Sequence, residues 1–201
     1  MPVLLLAVAV SVISAWGFWV FNKGVILGHE RPNTAAWNLW ILLTLVNVSS
    51  YFTMNRDWYM SALLITDTFL AWVTWVISLK RGCFQWPPRR DYLPIGLTIV
   101  AVAIWKVTSA TDANVFTQVP MIISFMPYWM QAWRGEAEAK PWVIWTVSFT
   151  LDLPLIHLRH IQTGMGDWHD YIYPVLAIIL HGGVAVIAWY QPDTYEQKQE
   201  D

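Results

Sequence analysis

The chain has 201 residues and a formal net charge of −2; 56% of it is hydrophobic and only 13% charged, against about 25% charged in an ordinary soluble domain. That balance leaves too little charge to cover a soluble surface, and the absence of a concentrated basic face excludes nucleic acid as a partner. Cys83 is the only cysteine, which excludes an internal disulfide framework and a Cys-based zinc site.

A membrane-spanning helix needs about 20 mainly apolar residues, and seven segments qualify. The first, 2–22, lacks a basic leader, and its apolar run exceeds the about 7–15 residues of a signal peptide's core, so it is expected as a retained helix. Segment 35–54 opens on Trp37-Asn38-Leu39-Trp40 and carries Thr44, Asn47 and Tyr51. Segment 59–79 follows the break Asn55-Arg56-Asp57 and holds Asp67, Trp72 and Trp75. Segment 92–109 follows a basic break and reads as a linker. Segment 114–133 contains Gln118, Pro120 and Pro127, and 141–158 opens on Trp142-Val143-Ile144-Trp145 and carries Asp152 and Pro154. The last, 171–190, places His181 before Gly182-Gly183, and residues 192–201 form a polar tail.

The fold class is therefore expected to be an all-α integral membrane protein of seven helices. Breaks on one side carry nine Lys and Arg, including Lys23, Arg81, Arg90 and Arg134, against Arg56, Lys106 and Arg159 on the other. The positive-inside rule then puts the C-terminus in the cytoplasm and the N-terminus outside, in a bacterial inner membrane or its equivalent. The two Trp-x-x-Trp pairs are 105 residues apart, and the pairs Asp57-Trp58 and Asp167-Trp168 are 110 apart. This offset suggests a parallel repeat: a first three-helix bundle over 1–80, a linker with helix 4 over 81–110, and a second bundle over 111–191.

Steps of three and four put Trp37, Trp40, Thr44, Asn47 and Tyr51 on one helical face, and Trp142, Trp145, Phe149, Asp152 and Ile156 on another. If the halves face each other, both designs converge on a central cavity, with Asn47 and Asp152 near mid-membrane. A carboxylate at bilayer depth costs at least about 2.5–3.5 kcal/mol on insertion scales and normally faces a cavity or a partner; Asp67, set among Thr66, Thr68 and Thr74, reads more as packing. His157 and His181 lie within helices without a clustered ligand motif, so no metal and no cofactor is expected. Most of the fifteen Trp are expected as interfacial anchors, with Trp40 and Trp145 preferred for a site and Trp72 secondary. Kinking prolines and the amide of Gln118 add polar groups to helix 5.

The plan of three, one and three helices resembles the SWEET and PQ-loop transporters. The run Trp37 to Asn47, then Tyr51 and Ala71-Trp72-Val73-Thr74-Trp75, looks more like the PnuC-type vitamin transporters. The Pro-Gln pair itself is absent: helix 5 has Pro127-Tyr128, and Asp152 stands where a second Asn is expected. The resemblance implies facilitated diffusion of a small uncharged or zwitterionic solute held by Trp and Asn, here Trp40, Asn47, Trp145 and Asp152.

The leading expectation is a small-solute carrier with substrate-binding residues Trp40, Asn47, Trp145, Asp152, His181, Trp72 and Gln118. Its partners would be the bilayer and a small polar or aromatic solute, with a homo-oligomer or a larger membrane complex open. Two other classes stand beside it. One is a non-catalytic accessory subunit binding lipid, pigment or partner helices; the other is a membrane enzyme or quinone- or lipid-binding protein using Asp152, His157 and His181.

Overall fold

Apolar runs broken by Gly, Pro and short polar stretches leave this chain one way to satisfy its backbone, which is helix. A computed structural model describes residues 1–30, 32, 34–81, 92–164 and 166–191. Among them are seven α-helices and no strand: α1 Pro2–Leu27, α2 Thr34–Asn55, α3 Ala62–Lys80, α4 Tyr92–Val107, α5 Ala110–Trp133, α6 Ala139–Thr163 and α7 Ile172–Tyr190. One turn of 3₁₀ helix, Trp168–Tyr171, leads into α7. Three spans, Pro2–Leu27, Ala62–Lys80 and Trp168–Tyr190, are long and apolar enough to cross a membrane.

Local chemistry moves several helix ends from where hydropathy alone puts them. The break expected at Thr111-Asp112 is helical, because Ser109 caps α5: its side chain accepts from the Asp112 backbone N–H at 3.1 Å and its hydroxyl donates to the Asp112 carboxylate at 2.7 Å. Helix α6 runs on to Thr163 and stops where Gly164 takes a left-handed φ of 65°. Gly28, with φ 82°, ends α1 in the same way. Between α2 and α3 the chain turns at Arg56 with φ 50°, and Asp57 closes the turn by accepting from the backbone N–H groups of Tyr59 and Met60.

The main packings connect α1 to α3 and α6, α2 to α3 and α5, and α7 to α5 and α6. Followed in order, α1, α3, α2, α5, α7 and α6 close a circuit, and α4 packs against α5 and α2. The third helix of each predicted triplet thus lies between the other two, and the triplets meet through α1 with α6 and α2 with α5. Inside the circuit lies a core rich in rings, with Trp37, Trp142, Tyr51, Tyr128, Phe21, Phe125 and Phe149 fully buried. Polar groups such as Ser14, Asn47, Asp67, Asn114, Ser148 and Asp152 are buried with them, while Leu4, Val12, Phe69, Ile99, Ile179 and Val186 face outward. Polar groups inside and apolar groups outside invert the soluble pattern, consistent with membrane association.

Candidate functional site

Steps of three and four along α2 turn Trp37, Trp40 and Thr44 inward, and the same steps along α6 turn Trp145 and Phe149 inward. Between them lies a cavity of about 40 Å³. Phe18 of α1, Asp67 and Ala71 of α3, Met121 and Phe125 of α5, and Tyr173 and His181 of α7 complete its lining. Every helix of the circuit contributes, and α4 does not. The volume holds about three or four water-sized groups at the ~10–15 Å³ each requires, far below the about 300–1,000 Å³ of a drug-sized site. Any larger guest must push rings aside.

The rings are held by one another. Trp40 donates its indole N–H to the Ser124 hydroxyl at 2.8 Å and stacks on Tyr128 with centroids 4.9 Å apart. Trp145 meets Phe18 edge to face at 4.9 Å. Its indole lies so close to Gly17 that a Cβ there would stand 2.8 Å from Nε1, so the missing side chain of Gly17 is what admits this ring. His181 is ringed by Phe125 at 4.9 Å, Phe149 at 5.1 Å, Trp142 at 5.7 Å and Trp145 at 5.8 Å. The His181 Nδ1 is 2.8 Å from the Ala177 carbonyl; two acceptors do not bond, so Nδ1 carries a proton, and Nε2 accepts when the ring is neutral.

Asp67 is the carboxylate of the cavity wall, and it accepts a hydrogen bond from the Ser14 hydroxyl of α1. Asp152 is buried but is not part of the lining. Its Oδ1 has no hydrogen-bond partner. Among the described residues no Lys or Arg is buried, and neither Asp67 nor Asp152 enters an ion pair. The indole N–H groups of Trp37 and Trp142 are also buried without acceptors.

Of the residues expected to form a site, Trp40, Trp145 and His181 line the cavity, while Asn47, Asp152, Gln118 and Trp72 do not. The expected cavity bounded by Asn47 and Asp152 is replaced by one bounded by Asp67 and His181. The reason for Asn47 is rotational: three residues at about 100° each carry it about 60° around the helix from Thr44, toward α5. There its Oδ1 accepts from Asn114 Nδ2 at 2.8 Å and from Gln118 Nε2 at 3.2 Å, an amide clamp between α2 and α5. Trp72 is half-exposed and packs edge-on against Trp75 at 5.8 Å, away from the cavity. Asp67 is the residue that sequence reasoning left out, although its signal, a carboxylate within an apolar run, was plain. His157 is exposed and does not join Asp152 and His181.

Comparison with protein-family models, with curated proteins and with solved structures returns no match.

Among the described residues no three His, Cys, Asp or Glu side chains gather as a metal site. Two acid–histidine pairs, His160 with Asp170 at 2.8 Å and His169 with Asp167 at 2.6 Å, lie at the end of the bundle where α6 gives way to α7, away from the cavity. The Asp167 carboxylate is held below its usual range, chiefly by the hydrogen bond from the His169 backbone N–H. A larger open groove of about 500 Å³ runs along the flank between α2 and α4, lined by Leu45, Val46, Ser49, Val102, Trp105 and Lys106.

Contacts between helices join the bundle at both ends. At one end Arg159 of α6 pairs with Asp57 at 2.6 Å, and the Tyr51 hydroxyl donates to the Asp170 carbonyl at 3.3 Å. At the other, the Glu138 backbone N–H donates to Glu30 at 2.8 Å, joining the α1–α2 and α5–α6 connections above the layer of Trp37, Trp40 and Trp142.

Proposed function

We propose that this chain is a small-solute membrane carrier of seven spanning helices. Two similarly oriented triplets, α1–α3 and α5–α7, are joined by α4 and rock about a site between them, as in the SWEET and PnuC-type carriers it resembles. The observation that carries this reading is the cavity itself: it is touched by all six triplet helices, lies on the seam between the triplets, and has contacts joining the triplets at both ends of the bundle. Side-chain bonds that cross this seam, Arg159 with Asp57 and Glu138 with Glu30, are contacts that a carrier breaks at one end and keeps at the other.

The spanning arrangement draws support from the surface aromatics. Trp133, Trp189 and Tyr190 are exposed at one end of the bundle, and Trp58 and Trp168 at the other; Lys23 lies over the Trp19 ring at 5.5 Å on the first of these ends. Exposed aromatics at both ends, with Lys23 at one of them, support a bilayer position with that end on the cytoplasmic side. The C-terminus is assigned to the cytoplasm and the N-terminus to the outside.

Purified protein reconstituted in liposomes tests the reading by counterflow: a saturating internal solute should drive uptake of trace labelled solute, and Asp67→Asn or Trp145→Phe should change the saturation constant. Protein that is folded and inserted, yet gives no flux with any of a panel of cationic, neutral and zwitterionic solutes, would overturn it. Stable co-purification of another membrane chain would then favour the accessory-subunit reading.

A further inference from the structure

The cavity wall carries acceptors and negative charge but no positive charge of its own. Asp67 contributes a carboxylate, His181 an imidazole whose Nδ1 is already engaged, and Asp152 a second carboxylate behind the wall with an unpartnered oxygen. No Lys or Arg among the described residues is buried to balance them. An uncompensated carboxylate in an apolar interior recruits a cation, and the two cations available are a proton and a positively charged guest. What separates these is the rest of the wall. A proton needs no particular surroundings, whereas the wall here is built of indole and phenyl rings, among them Trp37, Trp40, Phe125 and Trp145, whose negative π faces attract alkylammonium groups. Trp, the strongest of the three aromatic types in this role, supplies three of the lining rings.

We propose that the central cage takes a small organic cation, an ammonium head with few or no long substituents, with Asp67 as its counter-charge and the surrounding rings as its walls. This rests on the carrier reading for the site's access but not for its occupancy. The small volume, about 40 Å³, favours a compact head, and a trimethylammonium group enters only as the lining rings move apart. The unpartnered indole N–H of Trp37 provides a donor for an oxygen carried beside that head. The occupant therefore differs from the uncharged or zwitterionic solute that the family resemblance implies.

Choline and its uncharged isostere 3,3-dimethylbutan-1-ol have nearly the same shape and differ in charge, and glycine betaine adds the zwitterionic case. Binding of each to the purified protein is read from tryptophan fluorescence and from thermal shift, and transport from counterflow in liposomes. Choline should bind at least tenfold more tightly than the isostere, and Asp67→Asn should reduce that preference to under threefold while the variant keeps its melting profile. Asp152→Asn is the second variant: it should weaken choline less than Asp67→Asn does. Equal binding of choline and isostere overturns the proposal, as does an unchanged preference in Asp67→Asn. Tight binding of choline without flux supports the cage and overturns the carrier. Flux of the neutral or zwitterionic solute alone supports the carrier and overturns the cationic cage.

Discussion

The hydroxyl of Ser14 in α1 donates to the carboxylate of Asp67 in α3, so one wall of the central cavity is fixed by a bond between helices 53 positions apart in sequence. The bond orients Asp67 but does not neutralise it. Ser14→Ala should leave Asp67 in the wall with one donor fewer, costing about 1–3 kcal/mol of stability. Scanning fluorimetry reads that cost. Ser14→Thr, which keeps the hydroxyl, should restore most of it; failure of Thr to restore would show that the site tolerates no extra methyl group, and an unchanged melting point in Ser14→Ala would show that the bond is dispensable.

The amide clamp separates stability from binding. Asn47 accepts from both Asn114 and Gln118 across the α2–α5 interface and lines no cavity. Asn47→Ala deprives two buried amides of an acceptor, a loss of about 1–3 kcal/mol, and should leave solute affinity within twofold of the parent. Trp145→Phe opens space in a packed ring cluster and should lower stability as well, but unlike Asn47→Ala it should also weaken a cationic ligand by about 0.5–1 kcal/mol, since Trp is the better cation–π partner. The two variants are compared by melting point and ligand titration on the same preparations.

These contrasts bear on how far the chain could be read without coordinates. The stripes Trp37–Trp40–Thr44 and Trp142–Trp145–Phe149 follow from helical period alone, and each is buried. Which edge of a stripe meets the cavity does not follow from period, because it depends on where the neighbouring helix sits. Asn47 falls on the edge toward α5, and Asp152 behind the wall. Asp67 was legible as an anomaly, but its hydroxyl neighbours Thr66 and Thr68 suggested local satisfaction. Thr66 and Thr68 in fact donate to their own helix, to the carbonyls of Ala62 and Leu64, and the partner of Asp67 comes from α1. The start of α5 was legible in Ser109 and Asp112, three apart, which form a cap that hydropathy does not register.

Glycines give a graded test of close packing. A Cβ at Gly17 would stand 2.8 Å from Trp145 Nε1, one at Gly183 would stand 3.3 Å from Trp129 Nε1, and one at Gly96 meets nothing within 4 Å. Gly17→Ala should therefore displace the Trp145 ring and cost about 1–3 kcal/mol. Gly183→Ala should cost less, since the Trp129 ring has only a few tenths of an ångström to give. Gly96→Ala should be neutral or stabilise by about 0.5–1 kcal/mol through helix propensity. The ordering is checked by melting points, and a Gly17→Ala variant as stable as the parent would mean that the indole edge is not held against α1.

The ion pair between Arg159 and Asp57, 22% and 10% exposed, closes the end of the seam where α2 runs into α3. Asp57 also accepts from the backbone N–H groups of Tyr59 and Met60, so its two roles separate by mutation. Arg159→Gln should cost about 1.5–3 kcal/mol, the range for hydrogen bonds to charged groups, and Asp57→Asn should cost more because its turn is weakened as well. Exchanging the two residues, Asp57→Arg with Arg159→Asp, should fail to restore stability, since an arginine at 57 accepts nothing from the turn. If the exchange does restore it, charge pairing alone matters at this end.

The direction of the chain in the membrane can be tested at two exposed tryptophans. Trp58 is 69% exposed beyond the end of α2, and Trp133 is 68% exposed at the end of α5. They lie at opposite ends of the bundle, because Asp57 bonds to the far part of α6 while the α5–α6 connection bonds to Glu30 at the near part. Among the described residues the end that carries Trp133 also carries Lys23, Lys80, Arg81, Arg134 and Lys140, which the positive-inside rule would put in the cytoplasm. In a Cys83→Ser background, an impermeant maleimide applied to intact cells should label Trp58→Cys and spare Trp133→Cys, with both labelled once the cells are opened. Labelling of Trp133→Cys alone in intact cells would invert the orientation. Labelling of both would place the two ends on one side of the bilayer and overturn the proposed spanning arrangement.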